Sequence, residues 1–359
     1  MQSLFRRRQW IHFIWLGILL LGFPFLYRWP VTGWFITRYR IFSATMFGVW
    51  LLVVLSLNLL TGYSGQISLG HAAFVLIGAY ATAILQQQAR LPLPFAILGA
   101  GLCTGLVGGV LIGLPAVRLS GHYLSIATFA LAIALPQVLK IKFMVQWTNG
   151  ARGIHLAQHV ALSPLNLFLN ADQYRYYGVM AVTVLMTILF WNLMRSRYGR
   201  ALLALREHEI GAQQMGVPVA FYKALAFGIS AVYAGIAGGL FFFVQGYVSP
   251  DSLGLFDSVL LVVAIVIGGL GSMPGSLFGA FFLTFQADII SALAHWLPHA
   301  DNLGSVLFGL LLILATITFP QGVAGFVRQS HARLRWLQWA RTRPSNQGAT
   351  QVTKLSEEE

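Results

Sequence analysis

Long apolar runs separated by short polar stretches make up most of the chain, and the length of each run decides what it can become. A helix that crosses a bilayer needs about 20 mostly apolar residues. Applied along the sequence, that criterion predicts ten spans, near residues 10–27, 41–60, 71–87, 93–114, 121–140, 178–195, 219–243, 257–271, 275–295 and 302–319. The uncharged stretch from Ile41 to Ala89 would be about 74 Å long as a single helix. That is more than twice the ~30 Å hydrocarbon thickness, so the stretch holds two spans. Their joint is Thr61 to Phe74, TGYSGQISLGHAAF, which places Gly, Ser, Gln and His at or near membrane depth. The predicted fold class is all-α, a polytopic transmembrane helical bundle. Residues 1–40 supply the N-terminal end and first span, 41–320 the membrane domain with an internal loop at 195–222, and 321–359 a tail.

The joint has a partner in sequence. Gly62 to Gly70 reads GYSGQISLG and Gly246 to Gly254 reads GYVSPDSLG, identical at five of nine positions. The first follows the second predicted span and the other follows the seventh, so spans 2–5 and 7–10 would be two halves of opposite orientation. An inverted repeat of this kind is common among transporters. Coincidence is the competing account, since Gly, Ser and Leu are abundant here.

Composition fits the apolar pattern. The 359 residues are 57% apolar and 9% charged, against roughly 25% charged in soluble domains, and the mean hydropathy is +0.72. A net charge of +13 would suggest nucleic acid in a soluble protein, but in a membrane protein it follows from retention of Lys and Arg on the cytoplasmic side. With the N-terminus inside, 15 basic residues fall in the cytoplasm and 8 outside, so both termini are expected to be cytoplasmic. The start, MQSLFRRRQWIHFIWLGILLLGF, has basic and apolar regions but no small-x-small site before Arg28, and reads as a retained first span. The single cysteine, Cys103, lies in an apolar run and excludes an internal disulfide. Beyond Arg328 the tail begins basic and Trp-containing, suited to anionic lipid, and ends polar, in the composition of a disordered segment.

Candidate chemistry is sparse. None of the four lysines, Lys140, Lys142, Lys223 and Lys354, follows a phosphate-cradling glycine pattern, so either the protein uses no ATP or another chain hydrolyses it. Asp257 and Asp288 are the carboxylates within predicted spans. They would carry a proton-coupled secondary transporter, or else sit at helix ends. His71 and His122 each follow a Gly, and His155 and His159 are spaced i, i+4. No third ligand accompanies that pair, so no metal site is expected. Neither G-x-S-x-G nor H-E-x-x-H occurs, which argues against a hydrolase. The internal loop carries EHEIGAQQMGVP from Glu207, which predicts a short helix with Glu207 and Glu209 near its positive end. That helix would stop at Gly216, with Pro218 beyond. Such a helix is either a solvated connector or an element that docks into a cytoplasmic partner.

These residues resemble the permease subunits of branched-chain amino-acid ABC importers, of the LivM type. The matching passages are LNLLTGYSGQISLGHAAFVLIGAYATAIL from Leu57, LPAVRLSGHYLSIATFALA from Leu114, NGARGI from Asn149, and the long passage from Arg206 through GYVSPDSLGLFDSVLLVVAIVIGGLGSMPGSLFGAFF. The resemblance implies a non-enzymatic subunit in a bacterial inner membrane, paired with a second, homologous permease. Two cytoplasmic ATPase subunits would use ATP and Mg, and an external solute-binding protein would deliver a branched-chain or other hydrophobic amino acid. Urea, short amides and aromatic acids are the alternatives in related permeases. It also implies a coupling element of E-A-A-x-x-x-G type. Gly216 and Ala212 match that pattern, Gly211 replaces the first Ala, and Ile210 stands where Glu would be, with Glu209 one place earlier. This branch often reads E-I-A-A-x-x-M-G, so the shifted Glu is expected and Gly211 is the departure. Arg152 in NGARGI departs from a T-G-G-x-N-G-I pattern. The two joints supply the candidate translocation pathway: Asn58, Gly62, Gly65, Gln66, Gly70 and His71 in the first, and Tyr247, Ser249, Asp251 and Gly254 in the second.

Overall fold

The computed structural model describes residues 38–113, 115, 121–156, 170–294, 309, 317 and 322–326. The expected spans at 10–27 and 302–319, apart from Gly309 and Ile317, lie outside these residues, as does the tail beyond Arg328.

The apolar runs fold into helices as their lengths demand. In order these are α1 (Arg38–Leu57), continued by a π-helical turn (Asn58–Tyr63), α2 (His71–Gln87), α3 (Leu93–Leu106), continued by a second π-helical stretch (Val107–Gly113), and α4 (His122–Val138). Then come α5 (Lys142–Thr148), α6 (Ala171–Arg195), α7 (Arg197–Glu207), α8 (Glu209–Gln214), α9 (Val219–Gln245), α10 (Leu255–Gly268) and α11 (Met273–Ala294). Tyr39–Tyr63, Leu93–Gly113, Ala171–Arg195 and Val219–Gln245 are each long and apolar enough to cross a membrane. The segment from His122 to Arg152 also qualifies if its two parts, bent by 78°, are counted as one span. The chain is therefore a polytopic helical membrane protein.

One small departure from the all-α expectation is a two-stranded antiparallel sheet. Strand β1 (Ile154–His155) pairs with β2 (Tyr247–Val248), Ile154 opposite Val248. It forms because the chain leaving α9 turns at Gly246, in the left-handed region at φ 72°, and runs out extended against the loop after α5.

Packing is organised around α9, whose middle is buried almost all round. Without water to drive apolar association, helices in lipid approach through small residues. Gly101, Gly105, Gly109 and Gly113, four residues apart, lay α3 and its π-helical end against Ile236, Val232, Gly228 and Ala224 of α9. Gly78 of α2 meets Gly235, and Gly238 meets Val75 and Ala79. On the far side, Thr183 of α6 donates to the Gly48 carbonyl of α1 at 3.2 Å.

The contacts repeat. α2 packs on α3 as α10 packs on α11, and α9 lies against α3 as α1 lies against α11. Helix ends also sort to two ends of the bundle. One holds Gly62, Gly65, Arg206, Gly271 and the start of α9. The other holds Gly246 and Tyr247, the segment 150–156, the end of α2 through Gln87 to the His155 carbonyl, and the Lys140–Asp251 pair. The joints Gly62–Gly70 and Gly246–Gly254 thus begin at opposite ends of the bundle, the first beside the start of α9 and the second at its end.

Candidate functional site

In the first joint the helix ends in a π turn because Asn58 is held elsewhere. Its buried amide donates to the Ser272 carbonyl at 2.9 Å and to Ser276 Oγ at 2.8 Å, and its Oδ1 accepts from the Gly271 amide at 2.8 Å. Asn58 therefore staples the joint to the turn between α10 and α11. Gly62 must be glycine for the same reason, since a Cβ there would overlap the Asn58 side chain and the Gly271 amide. Gly65 takes the left-handed conformation, φ 76°. From there the chain runs without helix or strand to Gly70, where a Cβ would strike the Thr128 carbonyl of α4. His71 opens α2 fully buried, its Nε2 2.7 Å from Ser56 Oγ. Gln66 is buried beside Ser64, whose Oγ accepts from its Nε2. The first turn of α2 meets the first turn of α10, where Ser258 Oγ accepts from the Ala72 amide at 3.1 Å.

The second joint is built differently. Tyr247 stacks on His155, ring centroids 4.5 Å apart, and its hydroxyl donates to the Arg152 carbonyl at 3.0 Å. Ser249 closes a turn with Ser252, whose Oγ accepts from its amide at 2.9 Å. Asp251 is exposed and pairs with Lys140 at 2.8 Å. Gly254 has open space around it, and its amide donates to Asp257 at 2.8 Å. Beside this joint Lys140, Asn149, Arg152 and His155 line an open depression of about 800 Å³. The departure at Arg152 thus sits on the rim of a surface feature.

The carboxylates in the predicted spans have local partners. Asp257 caps α10 through the Gly254 amide, and Asp288 accepts from Tyr39 at 2.7 Å at the end of the bundle opposite Arg206. Among the described residues no group of three or more His, Cys, Asp or Glu side chains could hold a metal.

The internal loop corrects one expectation. A single helix from Glu207 does not form: Glu207 is the last residue of α7, and His208 is extended. Only Glu209 stands in the first turn of the short helix α8, where it pairs with Lys223 of α9 at 2.7 Å. The helix stops as the glycine predicts. Gly216, at φ 81°, donates to Gln213 at 3.0 Å and Val217 to Ala212 at 3.1 Å, the two hydrogen bonds of a Schellman cap. Ala212 is 6% exposed and faces inward, whereas Ile210 and Met215 are 74% and 86% exposed. Gly211 has room, as a Cβ there would lie 3.6 Å from that of His208.

Pattern reading overlooked Arg206. From the last turn of α7 its guanidinium donates to the Gly62 carbonyl and lies against Gly271, and its stem lies against Gly65. It ties the internal loop both to the first joint and to the turn before α11. No spacing in the sequence pairs an arginine with glycines 144 and 65 positions away.

Comparison with known proteins adds a relationship. A family model described as branched-chain amino acid transport system / permease component matches residues 39–316. The high-affinity branched-chain amino acid transport system permease protein LivM of Escherichia coli K12 is 28% identical over 344 residues, covering 89% of this chain and 76% of that protein. Its Salmonella typhimurium counterpart is 30% identical over 323 residues, covering 84% and 72%. A probable branched-chain amino acid transport permease protein, LivH, of Methanocaldococcus jannaschii is 28% identical over 298 residues, covering 77% and 89%. No solved structure matches significantly.

Proposed function

Because the chain belongs to the branched-chain amino acid transport permease family, we propose that it is the membrane-spanning subunit of an ATP-driven importer for branched-chain or other hydrophobic amino acids. The chain supplies no nucleotide site. ATP and Mg belong to two cytoplasmic ATPase subunits, a second homologous permease completes the pathway, and a solute-binding protein delivers the amino acid from outside. The chain crosses the bacterial inner membrane ten times with both termini in the cytoplasm. Spans 2–5 and 7–10 are related by a pseudo-twofold axis in the membrane plane. The recurring helix contacts and the start of the two joints at opposite ends of the bundle support that symmetry.

The observation that carries the reading is the internal loop. α8 turns Ile210 and Met215 to solvent at the end of the bundle from which Arg206 reaches the first joint. Residues 207–216 are the coupling segment, and closure of the ATPase dimer on α8 moves α7. Arg206 transmits that movement to Gly62 and Gly271, rocking the two halves between inward-open and outward-open arrangements.

The test is to purify the tagged chain from its native membrane and to measure uptake in a deletion strain with leucine, urea and benzoate as competitors. Co-purification of ATPase subunits and competition by leucine are expected. Uptake by the protein alone, driven by a proton gradient, would overturn the proposal, and competition by urea or benzoate alone would overturn the substrate class.

A further inference from the structure

The extended segment that leads into α2 has its polarity reversed. Ser64, Gln66, Ser68 and Gly70 are buried, Gly65 and Ile67 are exposed and Leu69 is half-buried. A two-residue period is that of an extended chain, yet here the inward positions are polar and the outward ones apolar. His71, fully buried, follows directly. Burying polar groups is costly unless each finds a hydrogen-bond partner. Three of these side chains have an atom with none among the described residues: Gln66 Oε1, Ser68 Oγ and His71 Nδ1.

Proton accounting gives the character of two of them. Gln66 donates through Nε2 to Ser64 Oγ, which leaves its carbonyl oxygen as an unused acceptor. With the Ser56 hydroxyl proton directed to the Val53 carbonyl at 2.6 Å, Ser56 Oγ accepts from His71 Nε2–H at 2.7 Å, and the proposal below takes this tautomer as its premise. The neutral imidazole is then protonated at Nε2, and Nδ1 is a bare acceptor. Within six residues the inward face thus offers two acceptors and a hydroxyl. Asp257, one residue before the Ser258 that accepts from Ala72, is already engaged by the Gly254 amide. The stretch from Ile41 to Ala89 contains no charged residue, and the nearby Arg206 packs its stem on Gly65 while its guanidinium is engaged by the Gly62 carbonyl. The complement of a neutral, acceptor-rich face is a group bearing several N–H donors.

We propose that the inward face of residues 64–71 is the contact site for the ammonium group of the transported amino acid, with Gln66 Oε1, Ser68 Oγ and His71 Nδ1 as its acceptors. This rests on the reading of the chain as an amino-acid permease and deepens it. An ammonium carries only N–H donors, complementary in kind to these unused groups. The absence of a fixed negative charge keeps the contact weak enough for the solute to leave, as conduction requires.

Cysteine accessibility in the complete importer tests the assignment. Cys103 is the chain's one cysteine, so Cys103→Ala clears the background for Ser68→Cys. In vesicles with ATPase and binding protein, Ser68→Cys is treated during turnover with two methanethiosulfonates, one bearing a primary ammonium (aminoethyl) and one a sulfonate. The cationic reagent is expected to react about tenfold faster, the worth of one hydrogen bond to a charged group, and saturating leucine should slow it. Equal rates, or faster reaction with the sulfonate, would overturn the ammonium assignment. No labelling by either reagent while leucine uptake continues would mean a sealed face satisfied by water, which overturns it too. If Ser68→Cys does not assemble, Gln66→Cys reads the same face. Failure of the broader reading looks different: the Cys103→Ala importer then moves no branched-chain amino acid at all, while the labelling ratio still scores the face.

Discussion

Replacing Arg206 with alanine tests whether the internal loop is wired to the membrane joint. In the wild-type chain the guanidinium donates to the Gly62 carbonyl, and the side chain packs against Gly65 and Gly271. A hydrogen bond from a charged donor contributes about 1.5–3 kcal/mol. Arg206 is exposed overall, so solvent competes for its donors and the lower figure applies. If the bond forms in one of the two transport conformations, its loss shifts their equilibrium by about tenfold. The chain should still fold, because α7 is anchored separately by buried Leu202 and Leu205, and α8 should still dock. The assay is reconstitution with the ATPase subunits and binding protein, measuring hydrolysis and leucine uptake in the same vesicles. ATP hydrolysis should persist while solute moved per ATP falls about tenfold, with Arg206→Lys intermediate because it keeps the charge but loses the planar fork. A proportional fall in both rates would assign Arg206 to docking, and unchanged coupling would refute the connection.

Four further outcomes follow from the same geometry. Gly216→Glu puts a side chain at φ 81°, costing about 1–2 kcal/mol, and should uncouple transport while the chain stays in the membrane; normal ATPase stimulation and uptake would remove α8 as the docking element. Gly211→Ala fits at 3.6 Å from His208 and should stabilise α8 by up to about 1 kcal/mol, seen as slower amide exchange over residues 209–214, with unchanged exchange counting against it. Gly78→Val would drive its Cβ into the Gly235 backbone and cost about 1–3 kcal/mol or more by overpacking, measured as a lowered melting temperature in detergent; an unchanged melting temperature would disprove the close α2–α9 approach. Asp257→Asn keeps a carbonyl acceptor for the Gly254 amide, so uptake should persist, whereas its abolition together with dependence on the proton gradient would revive proton coupling.

The helices were legible because apolar run length determines what can cross a bilayer. Predicted spans 41–60, 93–114 and 219–243 fall within Arg38–Tyr63, Leu93–Gly113 with one residue beyond, and Val219–Gln245. The stop of α8 at Gly216 was legible from the glycine and Pro218, a purely local signal. Hydropathy averaging hid the four-residue glycine spacing at 101, 105, 109 and 113, although it lies in the sequence and sets how closely α3 approaches α9. The break at His208 was hidden as well: no glycine or proline marks it, and Glu209 beyond it pairs with Lys223 14 residues away. Asn58 and Arg206 act through partners more than 140 positions away, and one sequence contains no trace of such pairings.

The polar joint at membrane depth now has a physical account that a surface hairpin lacks. A hairpin would leave full-length helices on both sides, but α10 has 14 residues and spans about 21 Å, short of the ~30 Å core. Its first turn meets that of α2 through Ser258 and Ala72, so both helices begin inside the bundle and the chain enters as non-helical backbone. Extended backbone in a membrane exposes peptide groups that hydrocarbon cannot satisfy. Each needs a partner, and here short polar side chains provide several. Thr128 takes the Leu69 amide at 3.0 Å, Ser125 donates to the Ile67 carbonyl and Thr61 to the Gln66 carbonyl, each at 3.2 Å, while the Gln66 amide returns to Leu60 at 3.0 Å. With the main chain held by these groups and His71 Nε2 and Gln66 Nε2 bonded to Ser56 and Ser64, Gln66 Oε1, Ser68 Oγ and His71 Nδ1 take no part in holding the segment among the described residues. Three polar atoms without a partner among the described residues, in a segment whose main chain is already secured, are the observation on which the proposed solute contact rests.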